Sequence, residues 1–108
     1  MGSLKEKLLS VAETRTDFVE IDDERFVVRE VGAIEFAEYG SLLKTDRVKA
    51  TATLLASCIM DEESGGPMLT VEEATVLARS ARTSMPFVNK IMELSGFRDN
   101  DEKEIDAD

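Results

Sequence analysis

Apolar positions along the chain change period several times, and each change marks an element. Leu4, Leu8, Leu9 and Ala12 recur at helical spacing behind Ser3, which predicts a short capped helix through about Glu13. So short a helix has little stability of its own and must dock on the domain or on a neighbour. Thr14 to Thr16 break the pattern, and over about residues 17–31 the period falls to two. Phe18, Val19 and Ile21 precede Asp22-Asp23-Glu24, and Phe26, Val27, Val28 and Val31 follow. Apolar runs on both sides of an acidic turn predict a β-hairpin. Its alternation sets Val19 and Ile21 on one face, with Phe26 and Val28 on one face across the turn. Glu20, Arg25, Arg29 and Glu30 fall on the wet side. A two-stranded ribbon is marginal in water, so the hairpin must lie on helices.

Beyond Gly32 the helical period returns. Ala33 to Lys44 carries Ile34, Phe36, Ala37, Leu42 and Leu43, with Gly40 as a point of bending. Thr45 or Asp46 starts the next helix, which runs to about Met60. Its stripe of Val48, Ala52, Leu55 and Ile59 is widened by Leu54 and Cys58, and Ala50, Ala52 and Ala56 permit close helix approach. It is the best candidate for a central core helix. A Gly65-Gly66-Pro67 turn follows. Thr70 and Glu73 then form a capping box, with Glu72 and Glu73 at the favoured positive end of the helix dipole. Val71, Ala74, Leu77, Ala78 and Ala81 share one face of that helix, and Arg79 and Arg82 fall toward its end. The last helix has Ser84 as N-cap, Pro86 in the first turn, and Phe87, Val88, Ile91, Met92 and Leu94 as its apolar side. Gly96 is a left-handed stop from which Phe97 folds back. The fold class is mainly α with a small N-terminal β-hairpin (α+β), a compact bundle of about four to five helices. Residues 1–97 read as one domain. Arg98 to Asp108 hold six acids and two bases around a single large apolar residue, Ile105, which predicts an acidic disordered tail over 98–108.

Composition narrows the functions open to such a domain. The 108 residues allow one modest core. Aromatic residues make up only 6 % and there is no Trp, so that core rests on aliphatic side chains. A net charge of −10 opposes nucleic acid and anionic membrane surfaces and favours a basic protein surface. No apolar run is long enough to span a bilayer, and Lys5, Glu6 and Lys7 interrupt any signal-peptide core. The one cysteine, Cys58, reads as a small core residue in a reducing compartment. There is no histidine, hence no general base of the usual kind. No nucleophile elbow, phosphate loop or Cys-x-x-Cys pair occurs. The expectation is a binding protein with no catalytic residues and no cofactor.

Three groups of residues are candidates for binding. Asp61 to Glu72 overlays in part on a calcium loop, with Asp61, Glu63 and Glu72 at ligand positions one, three and twelve and Gly66 at six. Gly65 and Leu69 leave positions five and nine without side-chain oxygens, so a plain turn between antiparallel helices is the stronger reading. Lys44, Arg47 and Lys49 form a basic cluster that reads first as a solvated helix start. Met60, Met68, Met85 and Met92, with Leu69 and Phe97, are candidates for a partner surface. Methionine adapts to imperfect apolar partners, though ordinary core filling is the stronger reading of each.

The order of segments also resembles a known family. VEIDDERFVVREVGAIEFAEY, then ATATLLASCIMDEESGGPMLTVEEATVLARS, then MPFVNKIMELSGF is similar to the tail assembly chaperones of long-tailed bacteriophages. The acid-Gly-Pro turn and the Leu94-Ser95-Gly96 ending are the most telling parts, and the match covers about residues 17–97. The resemblance implies a non-enzymatic protein of the bacterial host cytoplasm. It implies binding to the tape-measure protein, a long helical chain kept soluble while the tail tube assembles. It also implies a tendency to self-associate, and in many members a longer form made by ribosomal frameshifting. A small acidic adaptor or regulator, or a Ca²⁺-responsive helix-loop-helix module, would be the alternatives.

Overall fold

A computed structural model describes residues 3–97; the tail expected over 98–108 lies outside the described residues. Five helices and a three-stranded antiparallel sheet make up the described chain, in the order α1 (Leu4–Val11), β1 (Thr16–Ile21), β2 (Glu24–Arg29), α2 (Ala33–Leu43), α3 (Arg47–Cys58), β3 (Ile59–Met60), α4 (Val71–Ala78) and α5 (Ala81–Leu94).

The hairpin forms in the register that its alternation demands. Val19 pairs with Phe26 and Asp17 with Val28, so Val19, Ile21, Phe26 and Val28 share the inner face. Asp22 and Asp23 both take positive φ, 52° and 68°, the twist a two-residue hairpin turn needs. Short acidic side chains tolerate that backbone better than bulky ones. A third strand was not legible. Ile59 and Met60 leave the helical period at the end of α3 and pair with Val28 and Val27 of β2. Ile59 thereby joins the inner face, and Met60 the outer one.

α3 is the central helix. Asp46 caps it by accepting from the Lys49 N–H at 3.1 Å, and Ala50, Ala52, Leu54, Leu55, Ala56 and Cys58 are all buried. All of these but Ala50 meet Val19 and Val28 of the sheet and Phe87, Val88, Ile91 and Met92 of α5 in one continuous core. Val48, expected in the buried stripe, lies at the rim, 38 % exposed. The Thr70–Glu73 capping box opens α4 with both reciprocal bonds made, at 2.9 and 3.1 Å.

The junction between α4 and α5 departs from expectation. α4 stops at Ala78, so Ala81 and Arg82 belong to α5, which starts four residues before Ser84's following residue Met85. Ser84 is not a cap. It is buried, and its hydroxyl donates to the Ser80 carbonyl at 2.8 Å. Pro86 consequently sits inside α5 rather than in its first turn. Thr83 explains the early restart: its hydroxyl donates to the Leu77 and Ser80 carbonyls and closes the end of α4.

The end of α5 follows the sequence closely. Gly96 has φ +87°, its N–H reaches the Glu93 carbonyl, and the Phe97 N–H reaches that of Met92, the paired bonds of a Schellman stop. The Phe97 ring turns to α2, stacking on Phe36 with centroids 4.5 Å apart. Ser95 completes the closure. Its hydroxyl accepts from the Val31 N–H at 3.0 Å and donates to the Ile91 carbonyl at 2.7 Å, joining the last helix to the strand–helix junction. At that junction Arg29, expected in water, is half-buried. Its guanidinium grips both oxygens of Glu35, which also accepts from the Gly32 N–H and so caps α2.

Candidate functional site

The end of the hairpin, the 61–70 loop and the α4–α5 pair leave a groove between them. Ile21 and Phe26 form its sheet side and Ile59 part of its floor. Met68 and Leu69 come from the loop, Glu73, Val76 and Leu77 from α4, and Thr83 and Phe87 from α5. Its volume is about 330 Å³. Phe26 and Phe87 meet edge to face in it, with ring centroids 5.8 Å apart.

The loop that carries Met68 and Leu69 is held from within. The Asp61 N–H donates to the Gly66 carbonyl, and the Gly65 N–H to that of Asp61, each at 2.8 Å. Gly65, at φ +76°, permits the reversal. The Met68 N–H donates to the Ile59 carbonyl, and Met60 bridges to Pro67, which fastens the loop along β3.

The polar groups at the groove are already engaged. Thr83 closes the end of α4, and the Glu73 carboxylate accepts from the Thr70 N–H. What remains is a water-accessible apolar trough. Such a surface shelters aliphatic or aromatic side chains of a partner, and the gain scales with apolar area removed from water.

Candidate residues from the sequence divide by location. Met68 and Leu69 lie together in the groove. Met85 lies in a second depression of about 340 Å³, with Tyr39, Arg47, Val48 and Val88. Met92 is buried in the core. Met60 faces outward, beside Val27 and across from Phe18, whose ring lies 4.1 Å under the Arg25 guanidinium. Phe97 covers Phe36. The sequence reading missed Val76, which is 69 % exposed on the groove wall. Its signal was an apolar residue off the buried stripe of α4.

Asp61, Glu63 and Glu72, the partial calcium overlay, are not brought together. Asp61 accepts from the Glu63 N–H at 3.2 Å and from the Ser64 hydroxyl at 3.3 Å. Glu72 sits in the first turn of α4, because the capping box starts the helix before the loop can return on itself. Among the described residues no group of three or more His, Cys, Asp or Glu is placed to hold a metal ion. Cys58 is wholly buried, and burial pushes its thiol up to about 12. At neutral pH it is a protonated core residue.

No family model matches the chain, and no curated protein matches it by sequence. Among solved structures, that of the bacteriophage HK97 tail assembly chaperone aligns with 89 % of this chain and 100 % of its own, with a TM-score of 0.62 and 15 % identity. The two share a fold. At that identity the likeness to the HK97 protein is one of architecture. No helix among the described residues is long and apolar enough to cross a membrane.

Proposed function

We propose that this protein is a tail assembly chaperone that binds a tape-measure protein and keeps it soluble while the tail tube forms. The fold shared with the HK97 tail assembly chaperone supports the class of function. The observation that carries the mechanism is the apolar groove whose own polar groups are already hydrogen-bonded. A long helical client exposes apolar stripes that aggregate unless covered, and a helix laid in a groove covers them. The net charge of −10 then keeps the complex dispersed. No bond is made or broken in this work, and it needs no cofactor. Its setting is the cytoplasm of the bacterial host, where the tail is built.

The test is co-expression with the tape-measure protein whose gene, on this reading, lies beside that of the chain. The client should stay in the soluble fraction and co-purify with the wild-type chain. Val76→Asp, on the exposed groove wall, should fold normally and lose the client. A client equally soluble without the chain, or one retained unchanged by Val76→Asp, would defeat the assignment.

A further inference from the structure

The second depression is a surface that the groove's role leaves unused. α2 and α3 border it through Tyr39, Arg47 and Val48, and α5 through Met85 and Val88. Met85 and Val48 keep 44 and 38 % of their surface in water. Basic residues collect round it: Arg47 in its wall, Lys44 and Lys49 on either side along the chain, Arg79 next to Ala78, and Arg82 one helical turn before Met85. All of them are exposed. The ion pairs of the molecule use Arg29 and Lys90, so among the described residues none of these basic groups pairs with a carboxylate. Beside them the chain places two acids, Glu38 and Asp46, and Asp46 is engaged as the cap of α3. In a chain of net −10 this is a basic rim round an apolar hollow.

We propose that the acidic segment 99–106 of the same molecule docks in this depression, with Ile105 against Val48 and Met85 and its carboxylates against the basic rim. The chemistry of the two matches. Asp101, Glu102, Glu104 and Asp106 stand around Ile105, the one large apolar residue after Phe97. The groove of Met68 and Val76 has the wrong sign for such a segment. Glu73 lies in its wall, and the turn Asp22-Asp23-Glu24 stands next to Ile21 and Phe26. Like charges there repel an acidic chain, whereas Arg47 and its basic neighbours attract one.

The route of the chain also fits. The Phe97 ring stacks on Phe36, which sets the start of the segment beside α2, one helical turn before Tyr39. Val88 and Met85 lie about 9 and 14 Å back along α5 from its last residue, Leu94. From Phe97 to Ile105 an extended chain spans up to about 27 Å, so Ile105 reaches the depression. Tethering lets a weak contact form. A short linker holds the segment at an effective concentration of about millimolar, enough to populate a contact of similar affinity. Docked there, the segment shields Val48 and Met85 from other chains and leaves the groove open. The docking is independent of what the groove binds.

Nuclear magnetic resonance of the full-length chain tests this with a nitroxide spin label at Ala107→Cys, which leaves Ile105 in place. Cys58 is buried and protonated, so the label goes to the new thiol. At low salt the label should broaden the amide signals of Val48, Thr51 and Met85 and leave those of Val76 and Leu77 sharp. The broadening should be lost in about 1 M salt, where charges are screened beyond about 3 Å. Adding Ile105→Gln, or Arg47→Gln/Lys49→Gln on the rim, should reduce it several-fold. Both rim positions are exposed, and circular dichroism checks that each variant keeps its fold. Absent or uniform broadening, broadening centred on Val76, or broadening that the variants retain would overturn the proposal. A spin-labelled chain without isotope, mixed with unlabelled isotope-enriched chain, should broaden nothing. Broadening in that mixture would put the segment on another copy and overturn docking within one molecule.

Discussion

Single residues at the junction of β2, α2 and α5 account for much of how this chain closes. Arg29 and Glu35 form a two-oxygen pair at 2.9 and 3.1 Å, and Glu35 also caps the Gly32 N–H. The hydrogen bonds from Arg29, ahead of the one from Gly32, hold the Glu35 carboxyl below its ordinary 4.5. A carboxylate with a depressed value in the folded state adds stability above its unfolded value and loses it as pH falls through the folded one. Glu35→Gln keeps an acceptor for Gly32 but removes the charge. It should cost about 1 kcal/mol at pH 7, the pair being partly screened by solvent. That difference should shrink as pH drops from about 5 toward the lowered folded value. Urea midpoints of both proteins across that range check it, and a difference independent of pH would rule out the ion pair as the cause. Alternation alone knows only in and out, and so it places Arg29 in solvent. Nothing in the spacing shows that a helix six residues on would bring Glu35 over the outer face.

Elements were legible where the code is local. The capping box at Thr70, the cap at Ser3, the glycine stop at Gly96 and the alternation of the hairpin each depend on residues a few positions apart, and the structure keeps them. The features that escaped depend on distant partners. β3 exists because β2 offers an edge to Ile59 and Met60, residues whose own pattern only continues α3. The α4–α5 boundary turns on the Thr83 hydroxyl reaching back to Leu77, whereas Ser84-Met-Pro resembled a helix start by composition. The groove was half visible: Met68 and Leu69 were singled out, but Ile21 and Phe26 looked like hairpin core, and Phe87 like helix core. This contrast predicts different effects for two helix starts. Thr70→Ala removes a side-chain bond to the Glu73 N–H and should cost about 1 kcal/mol. Ser80→Ala removes no side-chain cap bond and should stay within about 0.5 kcal/mol of wild type. Chemical denaturation of the two variants distinguishes them, and equal losses would contradict the capping assignment.

At the scale of the whole molecule, the chain divides its apolar residues between a closed core and open surfaces. Leu54, Leu55, Ile59 and Ile91 are sealed inside, while Leu4, Leu8, Met68 and Val76 face solvent. Exposed apolar residues gathered into a groove and a helix stripe mark places of contact with other chains. The fold held in common with the HK97 tail assembly chaperone, together with these surfaces, underlies the proposal that the protein covers a helical client. Hydrogen exchange of the chain, alone and mixed with the tape-measure protein proposed as its client, tests that claim most directly. Binding through the groove predicts slowed exchange in the Met68–Leu77 segment and the Ile21–Phe26 turn, with α2 around the exposed Ile34 unchanged. Protection confined to α2, or to the outer sheet face around Phe18, would contradict it.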